Sequence, residues 1–439
     1  MKFFVSSLIL LILLSQTSYP QFELNSGVTT ELTSSSNGRI GIWYWQGWAC
    51  GINGTVIRST INTSSQWINV SGNGIPSNAG LDNICGLDSN IAFVCGHLNS
   101  NTWVWKTSNG GQNWLQVFNQ PNGRINAVWM KSYTQGFMQG NPVNGRWSLW
   151  KTTNGGSSWD SAGLYLAQSG NETSFSNSFC MPMGEFFPAA DSNKIWFGTD
   201  NSGIYYSSNY GNNWTVQSTS PEQNILCIAY GADYNGAIIF AGGSSYLFKS
   251  TNYGANWTVE TITGSGSVTG ITFCAWSYYL VKENRLYIRT YMGTWYPYFT
   301  APSGTYKYLD NRGFGMWYDH YAVRDNGGIS LLTEGEGVQK ISSEIPNGFK
   351  LSQNYPNPFN PNTKIKFDVP LDSRLRGNDI VTLKIYDVLG KEIATLVNEQ
   401  LQPGTYEAEW DASNYPSGVY FYKLITPEYT ETRKMVLVK

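Results

Sequence analysis

Few residues in this chain carry a pattern that predicts chemistry. Charged residues make up 13% of the 439 positions. A glycosidase would need two opposed carboxylates, and Glu185 and Asp319 are eligible, but no local motif places them across a cleft. The two histidines, His97 and His320, lack a partner at zinc-ligand spacing, and there is no Cys-x-x-Cys, phosphate loop or serine nucleophile elbow. The sequence therefore predicts no catalytic residue, no metal and no cofactor.

Two stretches rich in aromatic residues are candidate ligand surfaces. The first, from Asp160 to Ser192, is too long for a tight turn, and long loops on a rigid scaffold often meet ligands. The second runs from Asp310 to Asp325. Packing of an extra strand into the core is the alternative for the first stretch. For the second, the alternative is that its aromatic residues belong to a core that is rich in tryptophan throughout. Their notable residues are Phe175, Phe179, Phe186 and Phe187 in the first, and Arg312, Trp317, Tyr318, Asp319, His320 and Arg324 in the second.

Composition divides the chain into two parts. Every tryptophan except Trp410, and all six cysteines, precede Glu344, whereas charged residues are denser after it. We therefore predict one large body over residues 22–343, a linker over 344–363 that contains the start of a second motif, and a small module over 364–439. With 28 basic and 30 acidic residues, the net charge of −2 indicates neither nucleic acid nor an anionic membrane as a partner.

The N-terminus has the pattern of a secretory signal peptide over residues 1–18. Lys2 precedes an apolar run from Phe3 to Leu14, and small polar residues follow. The run is shorter than the about 20 apolar residues of a membrane-spanning helix. The first cysteine is Cys50, so no lipid-accepting cysteine follows the run. Export permits disulfides, and a Cys85–Cys95 bridge stays open beside the reading of the cysteines as small buried residues.

A repeated motif, [Ser/Thr]-x-Asn-x-Gly-x-x-Trp, organises the large body. It returns about every 45 residues, with weaker copies ending at Trp67 and Trp295. Strand-like segments flank each copy, so the motif predicts a hairpin turn in which Asn caps backbone amides, Gly adopts positive φ and Trp packs between sheets. The repeat residues are Asn109, Gly111 and Trp114; Asn154, Gly156 and Trp159; Asn209, Gly211 and Trp214; and Asn252, Gly254 and Trp257.

One such unit of four strands cannot bury both of its faces, so copies must stack. Radial stacking gives a β-propeller, which protects the sheet edges. Counting the motif turns and the strands from Gly313 to Ile341, seven blades fit best and six remain an alternative, with closure by strands from both ends of the body.

The motif resembles the Asp-box, or bacterial neuraminidase repeat, of sialidases, sortilin-type receptors and photosystem-assembly propellers. Asparagine replaces the family's aspartate in all four copies, which weakens any role in calcium binding. The resemblance implies a structural role for these turns, away from an active site. It does not extend to the sialidase chemistry, because none of the body's arginines stands in the Arg-Ile-Pro context of that family.

The C-terminal module reads as a small β-sandwich. Alternating apolar residues and Gly or Pro turns predict strands over Lys364–Val369, Val381–Val388, Glu392–Val397, Thr405–Trp410, Val419–Ile425 and Thr430–Lys439. The module resembles the type A sorting domain of type IX secretion, with an unusually charged insertion over residues 371–380. The matching residues are Asn354, Tyr355, Pro356, Asn357, Pro358, Phe359, Gly390, Gly404, Tyr406, Gly418, Tyr420, Lys434 and Lys439.

These observations predict an all-β protein: a six- to seven-bladed β-propeller followed by an immunoglobulin-like β-sandwich. The second resemblance implies the type IX translocon as the partner of residues 349–439, and the outer-membrane surface or the extracellular space as the destination. For the propeller we expect non-catalytic binding of a glycan or a surface protein, with no nucleic acid. A glycan-active hydrolase, sialidase-like or glycanase, with an unrecognised active site is the alternative.

Overall fold

The computed structural model describes residues 21–38, 46–60, 63–182, 189–233, 236–274, 277–289, 293–310, 320–332, 339–342, 345–370, 381–399, 401, 403–412, 415–426 and 428–439. The chain forms two compact units, one over Phe22–Leu332 and one that contains Thr333–Lys439. The predicted signal peptide, Glu185, Asp319 and the 371–380 insertion lie outside the described residues, as do Phe186, Phe187, Arg312, Trp317 and Tyr318. No helix among the described residues is long and apolar enough to span a membrane.

Antiparallel strands build the first unit, and its only described helical segment is a 3₁₀ turn at Ala189–Asn193. Its strands are β1 (Gln21–Leu24), β2 (Leu32–Gly38), β3 (Gln46–Gly51), β4 (Val56–Thr60), β5 (Thr63–Asn69), β6 (Gly80–Gly86), β7 (Ala92–Leu98), β8 (Asn101–Thr107), β9 (Leu115–Pro121), β10 (Ile125–Met130), β11 (Gly136–Val143), β12 (Arg146–Thr152), β13 (Ser174–Cys180), β14 (Ile195–Thr199), β15 (Gly203–Ser207), β16 (Thr215–Ser218), β17 (Ile225–Asp233), β18 (Gly236–Gly243), β19 (Leu247–Ser250), β20 (Thr258–Glu260), β21 (Val268–Cys274), β22 (Ser277–Lys282), β23 (Arg285–Arg289), β24 (Trp295–Thr300), β25 (Tyr306–Leu309), β26 (His320–Arg324) and β27 (Ile329–Leu332).

These strands form seven sheets among the described residues, which we number as blades 1 to 7. They are β2–β5, β6–β9, β10–β12, β13–β16, β17–β20, β21–β24, and β25–β27 with β1. The first strands of successive blades contact one another in a closed ring, from β2 through β6, β10, β13, β17, β21 and β25 back to β2. The unit is thus a seven-bladed β-propeller, and β1 beside β27 closes it with strands from both ends, as predicted.

Polar side chains, rather than a ladder of backbone hydrogen bonds, join the inner strands of neighbouring blades. Ser36 Oγ in β2 accepts a hydrogen bond from Gly86 N in β6 at 2.9 Å, and Asn83 Oδ1 in β6 accepts one from Val128 N in β10 at 3.1 Å. Because buried backbone amides must be paired, these side chains supply what a ladder cannot. This explains buried serines and asparagines in otherwise apolar strands.

Blade 3 differs from the other blades. It has three strands, and residues 160–167 pair with β12 through two isolated bridges, Lys151 with Asp160 and Arg146 with Ala167. The long stretch from Asp160 to Ser192 therefore contains this edge segment and then β13, the inner strand of blade 4. Phe179 is buried in the core, so the alternative of core packing is right for that residue.

The second unit is a sandwich of two four-stranded sheets, β28-β33-β30-β29 and β32-β31-β34-β35. One apolar core, which includes Leu351, Phe367 and Tyr422, lies within this unit. Six of the eight strands, β30 to β35, agree with the predicted ones to within two residues at each end, and β28 and β29 were not predicted. The eight described strands are β28 (Gln339–Ser342), β29 (Lys350–Leu351), β30 (Asn362–Val369), β31 (Val381–Tyr386), β32 (Glu392–Glu399), β33 (Gly404–Asp411), β34 (Gly418–Ile425) and β35 (Thr430–Leu437).

The predicted boundary of the propeller at residue 343 is wrong by one strand. The last blade ends at Leu332, and β28 pairs instead with β33 of the sandwich, with Lys340 opposite Tyr406. Composition misplaces the boundary because β28, Gln-Lys-Ile-Ser, is too short for its composition to assign it to either unit.

Candidate functional site: the mouth of the propeller channel

The repeat turns join the third and fourth strands of blades 2, 4 and 5, and in blade 3 the turn follows β12. Thr107 Oγ1 accepts hydrogen bonds from Gly111 N at 2.9 Å and Asn109 N at 3.3 Å, and Asn109 Oδ1 accepts one from Asn113 N at 3.0 Å. The other three turns repeat this network through Thr152 and Asn154, Ser207 and Asn209, and Ser250 and Asn252. The asparagine amide thus supplies the acceptor that an aspartate would supply.

The glycine and tryptophan of each turn are contact points between or within blades. Trp114 lies edge-on to Trp48 of blade 1, with ring centroids 6.0 Å apart, and Trp159 is placed the same way against Phe93 of blade 2. A Cβ on Gly156 would lie 2.4 Å from Phe93. Trp214 packs on Phe197 of its own blade, and the partly buried Trp257 packs against the core around Phe240. Gly211 and Gly254 also have positive φ, 82° and 86°.

A cavity of about 270 Å³ lies where the first strands begin, and we call it the channel mouth. All seven blades contribute to its lining. The lining residues are Glu31, Thr33, Asp82, Arg124, Phe175, Ser176, Asn177, Leu226, Thr269 and Lys307. First and third strands of a blade run in the same direction, so the repeat turns, which follow the third strands, lie at the opposite end of the propeller.

The four charged residues that line the mouth form two ion pairs, each between neighbouring blades. Arg124 Nη2, just before β10, lies 2.6 Å from Asp82 Oδ1 in β6, and Lys307 Nζ in β25 lies 3.5 Å from Glu31 Oε1. His97 Nδ1 lies 2.9 Å from the second oxygen of Asp82. The Asp82 side chain is 7% exposed but that of Arg124 is 48% exposed, so the cation projects further into the solvent than its partner.

The bulged strand β13 reaches across the channel at the mouth. Asn177 Nδ2 donates to the carbonyl oxygens of Thr269 at 2.7 Å and Lys307 at 2.8 Å, on blades 6 and 7. β13 can reach across because its register shifts between Ser174, which pairs with Thr199, and Phe179, which pairs with Phe197. One β14 residue, Gly198, thus lies opposite four β13 residues, 175–178, and the extra residues bulge. Asn177 therefore forms part of the lining of the mouth and links blade 4 to blades 6 and 7.

A second polar cluster surrounds Asp191 at the other end of the blades. Its carboxylate accepts hydrogen bonds from Lys194, Tyr230 and, at 3.2 Å, Tyr253. Burial alone would raise the pKa of Asp191, but the hydrogen bonds from Lys194 and Tyr230 outweigh it and hold that pKa below its usual range. Burial and the Asp191 carboxylate raise the pKa of Tyr230. Three donors to one buried carboxylate make a structural link between blades 4 and 5.

The other predicted candidates do not gather into a site. His320 is buried and contacts Thr272 and the Asp310 carbonyl, and Arg324 is a buried ion-pair partner of Glu23. Cys50, Cys85, Cys95, Cys180 and Cys227 are buried, and none of these five forms a disulfide, so the Cys85–Cys95 bridge is not made. Among the described residues, no group of three or more His, Cys, Asp or Glu could hold a metal ion.

The sequence analysis missed most of the mouth, although it named Phe175. A weak signal exists, because Leu226, Thr269 and Lys307 each stand twelve residues after a repeat tryptophan, Trp214, Trp257 and Trp295. This offset of twelve residues leads to the beginning of the first strand of the next blade. It does not indicate at which of these positions the residue is charged.

In the sandwich, the first part of the predicted sorting motif is hydrogen-bonded to the last strand, β35, and to the residue that follows it. The backbone of Phe359 exchanges hydrogen bonds of 3.0 Å with Val436 and Val438, and Asn357 Oδ1 accepts one from Val436 N. Asn354 is buried and donates its side-chain amide to Thr363 Oγ1 at 2.9 Å, whereas Tyr355 is 80% exposed. Tyr406 and Tyr420 are buried, and Lys434 is exposed. Gly390 has a φ of 79°, and Gly404 and Gly418 begin β33 and β34.

Fold and site thus define a β-propeller protein with a C-terminal sandwich. Residues 353–439 match the family model of the secretion system C-terminal sorting domain. This is the sorting domain of type IX secretion, and it indicates export to the cell surface or the extracellular space.

Two solved structures support the propeller fold. YCF48 from Cyanidioschyzon merolae aligns with a TM-score of 0.56 at 13% identity, over 71% of this chain and 98% of that one. A structure described as YCF48 bound to D1 peptide aligns with a TM-score of 0.53 at 12% identity, over 73% and 97%. At such identities the likeness shows the fold alone. The extracellular domain of BT4673 from B. thetaiotaomicron aligns at 0.47 and 10% identity, over 97% and 59%. No curated protein shows significant sequence similarity to the chain.

Proposed function

We propose that this protein is a non-catalytic binding propeller whose ligand site is the channel mouth. In this proposal, residues 1–18 serve as a signal peptide for the first export step, and residues 349–439 engage the type IX translocon for the second. The propeller then meets its ligand, a glycan or a surface protein, outside the cell.

The observation that carries the proposal is the convergence of all seven blades on one depression that contains both charges and an aromatic side chain. Ligand sites are concave and combine apolar contacts with a few placed polar groups. Two other cavities among the described residues lie on the sides of the blades. One, of about 410 Å³, lies between β16 and the blade 5 repeat turn, and the other, of about 180 Å³, lies beside β12.

One observation favours the alternative of a glycan-active hydrolase. Glu31 and Asp82 lie in the same cavity, and glycosidases act through two carboxyl groups. Against this, each carboxylate is held in an ion pair. A catalytic carboxyl group must reach the scissile bond, and a side chain that is held in an ion pair between blades is less free to do so.

The experiment compares binding and turnover in the same mature full-length protein. Equilibrium binding is measured against neutral and acidic oligosaccharides and a peptide library, and hydrolysis of the same saccharides is followed by product release. We expect binding that Lys307→Ala and Phe175→Ala weaken but that Tyr296→Ala, on the outer strand of blade 6, leaves unchanged. Turnover abolished by Glu31→Gln or Asp82→Asn would favour the hydrolase, and binding that no mouth variant affects would contradict the assigned site.

A further inference from the structure

The charged residues of the mouth occupy one half of its circumference. Following the ring of blades, Lys307 is on blade 7, Glu31 precedes β2 of blade 1, Asp82 is on blade 2, and Arg124 precedes β10 of blade 3. Two acids thus stand side by side, and each has a cation on its outer flank. The arc carries two positive and two negative groups, so the charges of these four side chains cancel.

The other half of the mouth is uncharged. Blade 4 contributes Phe175, which is half-buried, and blades 5 and 6 contribute Leu226 and Thr269. The β13 bulge positions Phe175, because Ser178 Oγ lies 2.8 Å from the carbonyl oxygens of both Phe175 and Gly198. An aromatic side chain held on a braced strand offers a fixed apolar surface opposite the charged arc.

From this division we propose that the mouth binds the ring of a neutral saccharide, a specification that rests on the binding function proposed above. Each ion pair presents donors and acceptors side by side, which suits adjacent sugar hydroxyls that both donate and accept. The C–H face of the ring packs on Phe175. Asn177, bonded to blades 6 and 7, adds a fixed polar side chain to the lining near Phe175.

Charged ligands fit the arc less well. An anionic ligand that engages Arg124 or Lys307 competes with Asp82 or Glu31, and Asp82 is buried, so loss of its partner leaves a buried charge less compensated. A cationic ligand that engages Asp82 or Glu31 competes in turn with Arg124 or Lys307, which flank these two acids. A neutral polar ring adds hydrogen bonds and leaves both pairs intact.

The test measures affinity of the mature full-length protein for two sets of probes. The neutral probes are cellohexaose, xylohexaose and mannohexaose, the acidic probe is hexagalacturonate, and a peptide library forms a third arm. We expect binding of at least one neutral probe, and Phe175→Ala to weaken it by about tenfold or more. Phe175→Trp should retain it, and Tyr296→Ala is the matched control for loss of an exposed aromatic. Because salt screens charges, affinity for a neutral ring should change less than about twofold on addition of 0.5 M NaCl.

Three other outcomes would overturn the inference of a neutral saccharide ligand. Hexagalacturonate or a peptide that binds at the mouth, with loss in Lys307→Ala, overturns the neutral saccharide but leaves the proposed binding function standing. Neutral saccharides that bind equally to wild type and to the mouth variants place the site elsewhere and overturn both. Absence of any saccharide binding also overturns the inference, and the peptide arm then decides the proposed function. Thermal melting of every variant verifies that it is folded.

Discussion

Arg324 donates two hydrogen bonds to the carboxylate of Glu23 and so joins strand β26 to strand β1, at opposite ends of the propeller sequence. The Arg324 side chain is 3% exposed and Glu23 is 30% exposed. Ser330 Oγ adds a hydrogen bond of 2.6 Å to the same carboxylate. The pair therefore lies where blade 7 is completed by the N-terminal strand.

Glu23→Gln should destabilise the propeller by about 3 kcal/mol, because it leaves the buried Arg324 charge without its partner. This loss of stability is at the lower end of the range for broken buried ion pairs because Glu23 is partly exposed. Chemical denaturation of the full chain, followed by tryptophan fluorescence, measures the change. Glu31→Gln removes a carboxylate from the exposed Lys307 pair and should cost less than about 1 kcal/mol. Equal effects of the two substitutions would contradict a closing role for Glu23.

Trp114→Ala should destabilise the propeller by about 3–5 kcal/mol, because it removes a large buried aromatic side chain from the contact between blades 1 and 2. The indole also donates a hydrogen bond of 3.1 Å to Val70 O. The adjacent Leu115 is 68% exposed, and Leu115→Ala is the matched control, with an expected change within about 0.5 kcal/mol. Similar melting temperatures for the two variants would show that the repeat tryptophan is not a structural residue.

The blades could be predicted from the sequence because the information is local. Asn109, Gly111 and Trp114 lie within six residues of one another, and the same pattern marks each later turn. The mouth could not, because its contacts join distant segments with no shared motif: Lys307 pairs with Glu31 across nearly the whole propeller sequence. The bulge that places Asn177 across the channel depends on its register with β14, which periodicity does not reveal.

Protonation of His320 should make the propeller less stable below about pH 6.5. Burial lowers the pKa of His320, although the neighbouring Asp310 opposes this shift. The folded state therefore holds the imidazole neutral at a pH where the unfolded chain, with an ordinary pKa of about 6.5, binds a proton. From that pKa downward, stability falls by up to about 1.4 kcal/mol per pH unit until the folded-state pKa is reached.

Denaturation at pH 7.5, 6.5 and 5.5 tests this dependence. His320→Asn retains an amide donor for the Asp310 carbonyl, which lies 3.2 Å from His320 Nδ1, and removes the titration. Its stability should change less over this range than that of wild type. The same pH dependence in both proteins would assign the effect to other groups.

The sorting unit should require strand β28, which precedes the residues that match the family model. β28 covers the edge of β33, and an uncovered edge strand invites aggregation. Residues 351–437 supply the core of the sandwich, so the unit can be tested as a fusion to a reporter. A fusion that begins at residue 339 should reach the cell surface or the medium. One that begins at 345 lacks β28, and one that begins at 353 also lacks the buried Leu351, so both should be exported less and aggregate more.

Cell fractionation and immunoblotting measure the three fusions side by side, and the native chain truncated after Leu332 provides the control without export. Equal export of all three fusions would show that β28 is dispensable for sorting.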